Sequence, residues 1–200
     1  MPRRIETSLE GLVLVEPAAH GDERGFLVET YRADAWRELG IVVEAFVQDN
    51  HSRSAKGTLR GLHFQTGPGQ AKLVRCARGA IFDVAVDLRR GSPTFGRWEG
   101  HELSDSNHRQ LFVPVGFAHG FLVVSDEADV AYKLSSYYDP GTESGIAWDD
   151  PEVGVEWPLP DGAEPQLSAR DRKAPRLAEI ADGLTFQPSG PSGASGNPDL

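Results

Sequence analysis

The run AKLVRCARG–AIFDVAVDL, residues 71–88, constrains the fold more than any other stretch. Two β-rich segments follow one another with only a tight turn at Arg78–Gly79 between them. In the second, Phe82, Val84, Val86 and Leu88 point one way, while Ile81, Asp83, Ala85 and Asp87 point the other. That is the period-2 pattern of a strand. Similar runs recur at 11–16, 26–32, 41–48, 59–65, 97–104, 110–116, 117–125 and 128–138, separated by turn residues. The segments 20–25, 49–57, 66–70, 89–96 and 139–145 read as turns or polar loops, and 148–157 as irregular. Helical patterning is confined to two places. One is 34–39, with Asp34 at its start and Gly40 after its end. The other is 167–180, where Ser168 and Asp171 have the spacing of a capping box. Pro175 limits that first turn and leaves a second short helix over 175–181. About ten short strands, with helix only near the ends, predict an all-β sandwich or barrel.

Two hundred residues suit a single domain, here expected over 1–186. From Gln187 the chain reads QPSGPSGASGNPDL, poor in apolar residues, and 187–200 is expected to be a disordered tail. The formal net charge of −10 argues against a nucleic-acid partner, which needs a basic face. The one cysteine, Cys76, can form neither an internal disulfide nor a cysteine metal cage; its apolar neighbours favour a buried, inert thiol. No apolar run is long enough to span a bilayer, and MPRRIETSLEG lacks the apolar segment of a signal peptide. A cytoplasmic protein with no membrane partner is the default expectation.

The stretch from Gly57 to Lys72, GTLRGLHFQTGPGQAK, concentrates the reactive residue types. Arg60 offers a fork of donors to a phosphate dianion. His63 can move a proton near neutral pH. Lys72 can stabilise an oxyanion. Together they suggest proton abstraction beside a carbonyl on a phosphorylated substrate; the same stretch would also serve as a polar strand–loop–strand on the surface. Strict alternation places Arg60 and His63 on opposite faces, so a shared site requires a break, and Gly61 is the natural place for a bulge. Lys72 and Asp83, on consecutive strands, are expected to pair.

A metal site is the first alternative. PVGFAHG, 114–120, has the P-x-G-x-x-H spacing of a metal-binding cupin motif. The matching first motif is incomplete: His63 is followed by Gln65, with no glutamate before Glu99. Two histidines and a glutamine make a poor transition-metal set, so no metal is expected. His51, His101 and His108 sit in or beside polar turns and are expected to be solvated. Proton transfer without metal fits better. His63 would be the base, oriented by a carboxylate such as Asp171, whose alternative role is the capping box. Tyr132 would be the acid; alternatively it is a core aromatic on the apolar face of its strand, with Val130 and Leu134.

RGLHFQ, QAKLVRCARGAIFDVAVDLRRGSPTFGRWEG, VPVGFAHGF and YKLSSYYDP, with DERGFLVETY and LSARDRKAP, resemble the dTDP-4-dehydrorhamnose 3,5-epimerases over roughly residues 3–184. The resemblance implies a cupin-type jelly-roll barrel, no cofactor or metal, and a homodimer that exchanges N-terminal strands. It assigns His63 as proton acceptor, Asp171 as its dyad partner, Tyr132 as proton donor and Lys72 as stabiliser of the enolate at C4. Arg60 and His119 match substrate ligands near the diphosphate and sugar. Arg24, Glu29, Gln48 and Asn50 match substrate-binding positions, some of them reached across the dimer. Glu143 and Arg170 match positions near the nucleotide, and Tyr138 an aromatic that stacks on thymine. The implied substrate is dTDP-4-dehydro-6-deoxy-glucose. Relatives that epimerise only C3 or only C5 share these motifs. A non-catalytic sugar-nucleotide-binding cupin would have lost the base or the acid, and a metal-dependent cupin enzyme would bind iron or manganese.

Overall fold

The computed structural model describes residues 1–41 and 46–187. In chain order its strands are β1 (Arg3–Ile5), β2 (Val13–Glu16), β3 (Ala19–Asp22), β4 (Gly25–Val28), β5 (Gln48–Ala55), β6 (Leu59–Gln65), β7 (Lys72–Arg78), β8 (Ala80–Asp87), β9 (Trp98–Ser104), β10 (Gln110–Val113), β11 (Phe117–Val123), β12 (Glu127–Leu134) and β13 (Glu143–Gly145). One sheet has the order β1-β2-β10-β7-β12-β5 and the other β13-β6-β11-β8-β9, while β3 and β4 form a separate hairpin. The pairings are antiparallel. The two sheets face each other as a jelly roll.

The core lies between them. Leu14, Val74, Cys76, Leu111 and Val130 from the six-stranded sheet pack on Ile81, Ala85, Leu103, Phe117 and Phe121 from the five-stranded one. These are the inward positions that the period-2 pattern selects. Burial pushes the Cys76 thiol up to about 12, consistent with an inert core residue. A second apolar layer covers the outer face of the six-stranded sheet. Helix α1 (Ala33–Glu38) lays the buried Trp36 there, against Val13, Val15, Leu73 and Phe112.

The turn at Gly79 carries the chain from one sheet to the other. A Cβ at Gly79 would lie 2.1 Å from the Glu127 carbonyl oxygen, and its φ of +75° is open to glycine. β7 and β8 lie in different sheets, and among the described residues the expected direct Lys72–Asp83 ion pair is absent; the Asp83 carboxylate is bound to His119 and acts on Lys72 through its charge alone.

Other expectations are corrected as well. Residues 49–57, read as a loop, contain most of β5, an edge strand. Its inward residues, Gln48, Asn50, Ser52 and Ser54, are polar because they face a cavity and its buried flank, so no apolar alternation marks the strand. Residues 19–28 form the hairpin β3–β4, so the expected turn over 20–25 is partly strand and the expected strand over 26–32 stops at Val28. The expected strand over 41–48 falls partly outside the described residues, and only Gln48 of its described part is in a strand. The short β1 and β13 were not legible in the sequence pattern. His51 and His101 lie in strands; His51 is exposed, as expected, whereas His101 is largely buried and bonded to Glu99 at 2.8 Å. His108 follows the turn at 105–107 but is half-buried. At the C-terminal end a 3₁₀ turn (Asp171–Lys173) precedes α2 (Leu177–Ile180). Of the expected tail, only Gln187 lies among the described residues.

Candidate active site

The site begins with an irregularity in β6. His63 stands opposite His119 of β11, and Arg60 opposite Phe121. Three steps along β6 therefore match two along β11, which is a bulge. Gly61 makes it possible: its φ is +140°, and a Cβ there would lie 2.5 Å from the Gly120 Cα. The extra residue turns Arg60 and His63 to the same cavity, which strict alternation forbids.

That cavity, about 420 Å³, opens between the two sheets. The six-stranded sheet contributes Gln48, Asn50, Lys72 and Tyr132 to its wall, and the five-stranded sheet Arg60, His63, His119 and Glu143. Tyr138, Arg170 and Asp171 close it from the connecting segments. His63 and Tyr132 thus come from opposite sheets and share one space. Arg24 and Glu29 are not brought there. Arg24 is exposed on the β3–β4 hairpin and paired with Asp22, and the exposed Glu29 lies 3.6 Å from Arg32.

His63 Nε2 lies 2.6 Å from Oδ1 of the buried Asp171. Burial works to raise the Asp171 carboxyl, but the His63 hydrogen bond and charge, Ser168 and Arg170 together hold it below the usual carboxylate range. Ser168 Oγ accepts the Asp171 backbone N–H at 3.0 Å. Only that half of the expected capping box forms, because the carboxylate is turned to His63. A carboxylate at Nε2 assigns the ring proton to that nitrogen and leaves the lone pair on Nδ1.

Lys72 is buried, and its Nζ donates to the His63 carbonyl oxygen at 3.2 Å. Burial lowers it to about 8, against the pull of Asp83 and Glu143. His119 is also buried, and burial outweighs the Asp83 carboxylate to hold its imidazole below the ordinary value. Arg60 Nε donates to Ser54 Oγ at 3.1 Å, which leaves the rest of its guanidinium fork for an anion.

At one end of the cavity the Tyr138 hydroxyl donates to Glu143 Oε2 at 2.6 Å, and Arg170 bonds the same carboxylate. Tyr138 also anchors β5, its backbone N–H donating to Gln48 Oε1 at 2.9 Å. These two bonds hold Tyr138, whose side chain stays half-exposed on the cavity wall. Gln65 and Gln70 are also buried in the cavity wall; from sequence, Gln65 reads only as a poor metal ligand and Gln70 as part of a turn, with no signal for a site role. Among the described residues no group of three or more His, Cys, Asp or Glu side chains is placed to hold a metal ion.

The family model described as dTDP-4-dehydrorhamnose 3,5-epimerase matches residues 6–179. The enzyme of that name from Methanothermobacter thermautotrophicus is 51% identical over 177 residues, 88% of this chain and 95% of the relative. A dTDP-4-dehydrorhamnose 3-epimerase from Streptomyces niveus is 44% identical, over 87% of this chain and 83% of the relative. Among solved structures, the Legionella pneumophila dTDP-6-deoxy-D-glucose-3,5-epimerase, in complex with dTDP-4-keto-L-rhamnose, superposes with a TM-score of 0.90. It is 46% identical and covers 95% of this chain and 100% of its own. From the first bulge in β6 to the length of the match, the observations agree, and the chain belongs to the dTDP-4-dehydrorhamnose 3,5-epimerase family.

Proposed function

We propose that the chain converts dTDP-4-dehydro-6-deoxy-D-glucose to dTDP-4-dehydro-L-rhamnose by inverting C3 and C5. The observation that carries this reading is the pairing of His63 and Tyr132 from opposite sheets on one cavity. The C4 ketone acidifies the hydrogens at C3 and C5. His63 removes one through Nδ1, with Asp171 balancing the imidazolium that forms. Lys72 holds the enolate oxygen at C4 as charge develops there. Tyr132 returns a proton to the opposite face of the ring. After each inversion His63 holds the proton it took and Tyr132 lacks the one it gave; exchange with solvent water resets both, and none of these steps calls on a nicotinamide or a metal. Arg60 and His119 serve the diphosphate and sugar, Gln48 and Asn50 bind substrate, and Tyr138, Glu143 and Arg170 bind the nucleotide end.

A homodimer that exchanges N-terminal strands accounts for the two residues outside the cavity. The hairpin that carries Arg24 also exposes Phe26 (62%) and Leu27 (74%), side chains that favour cover. In this reading Arg24 and Glu29 complete the partner's cavity. A monomer by light scattering at working concentration contradicts it.

The Streptomyces niveus relative keeps a second reading open, inversion at C3 alone. Incubation of the protein with the keto-sugar nucleotide in deuterated water decides. Deuterium at both C3 and C5 is expected; uptake at one carbon selects the single epimerase, and uptake at neither rejects both.

A further inference from the structure

Asp83, at the centre of β8, is 0% exposed. A buried carboxylate needs partners for its oxygens and a counter-charge nearby. Its hydrogen-bond partner is His119, whose Nε2 stands 3.0 Å from Oδ1 and 2.9 Å from Oδ2. His119 is itself 7% exposed and turns its accessible edge into the cavity. Lys72, from the facing sheet, lines the same cavity as His119, and Asp83 leads the charges that favour its ammonium there.

Few other ionisable groups meet this trio. Glu143 of β13 and Arg170 act on Lys72 with opposite signs, and His63 of β6 is opposite His119. His101 of β9 is the register neighbour of Asp83, but its ring is bonded to Glu99. Among the described residues, Asp83 is therefore the fully buried carboxylate that both holds His119 and acts on Lys72.

We propose that Asp83 is a positioning residue for the oxyanion end of the cavity: it aims the His119 ring and supplies the counter-charge opposite Lys72. The inference rests on the epimerase reading, in which Lys72 acts as an ammonium. An apolar side chain would serve a purely structural site at least as well.

The test is Asp83→Asn, which keeps the shape and an acceptor for His119 but removes the charge. The Lys72 titration is followed by ¹³C NMR at Cε, together with the pH profile of deuterium uptake. Loss of the carboxylate leaves burial less opposed, so the Lys72 midpoint falls below its wild-type value by about one pH unit or more. The alkaline limb of activity moves down with it, and kcat at neutral pH falls by about 10-fold or more. An unchanged midpoint overturns the proposal. Wild-type protein that takes up no deuterium overturns the epimerase reading instead, while the NMR titration still decides on Asp83. If the variant does not fold, long-range ¹H–¹⁵N spectra of the wild type decide: a neutral His119 protonated at Nε2 supports the contact, and one protonated at Nδ1 alone overturns it.

Discussion

Gly61 and Gly120 meet backbone to backbone. A Cβ on Gly61 would lie 2.5 Å from the Gly120 Cα, and one on Gly120 would lie 2.8 Å from the Arg60 carbonyl oxygen. Neither obstacle is a flexible side-chain tip, so neither can step aside. Gly61→Ala is expected to cost about 2–5 kcal/mol, from the strained positive φ and the overlap combined. It should also rotate Arg60 and His63 apart and abolish activity. Urea unfolding and deuterium uptake measure the two effects; a variant with wild-type values for both contradicts the bulge as the site's foundation.

In the proposed mechanism His63 abstracts the proton and Tyr132 returns one. His63→Ala should lower deuterium uptake at both carbons by about 10²–10⁴-fold. Asp171→Asn should lower it too, since the amide cannot balance an imidazolium. Tyr132→Phe leaves the base in place, so it should still exchange substrate hydrogens while losing net inversion. Mass spectrometry of the recovered sugar, read beside its NMR couplings, separates the two losses. Wild-type exchange in His63→Ala would remove it as the base.

Much of this arrangement was legible in the sequence. The alternation at 80–88 identified β8, and Gly61 was the expected bulge between Arg60 and His63. The polar row on β5 was not legible as strand: Gln48, Asn50, Ser52 and Ser54 line a cavity and its flank, and a cavity wall carries no apolar period. The partner of Asp83 was misread for a different reason. Two strands joined by one tight turn normally pair, but Gly79 crosses between sheets and delivers Asp83 to His119 on the next strand over. The double role of Asp171, backbone on Ser168 and carboxylate on His63, also needed the tertiary structure to resolve.

Lys72 should set the alkaline limb of the rate profile. Burial brings it down to about 8, so its ammonium is lost as pH rises through that value. Stabilisation of the enolate goes with the charge, and kcat should decline above about pH 8 rather than near 10.5. Lys72→Arg keeps the charge throughout the accessible range. Its kcat should be lower, because the planar guanidinium does not fit a lysine's position, but the alkaline limb should disappear. An identical limb in both proteins assigns it to another group.

Glu99, outside the cavity lining, gives the fold an acid-sensitive contact. Its Oε2 accepts from the Ser8 backbone N–H and hydroxyl, both at 2.7 Å, and from the Leu9 N–H at 3.1 Å. Its Oε1 faces His101 at 2.8 Å. Burial alone would raise the carboxyl, but these bonds together bring it from 4.5 down to about 2. A carboxyl depressed in the folded state contributes stability that is fully present above its unfolded value and is lost as pH falls through its folded value. The contribution should therefore drain away between about pH 4.5 and pH 2. Glu99→Gln should be less stable than wild type at pH 7, and the gap between the two should narrow across that window. Urea midpoints at pH 7, 4 and 2.5 measure it. A gap that stays constant with pH assigns the loss to packing of the Ser8–Leu9 segment rather than to the carboxylate.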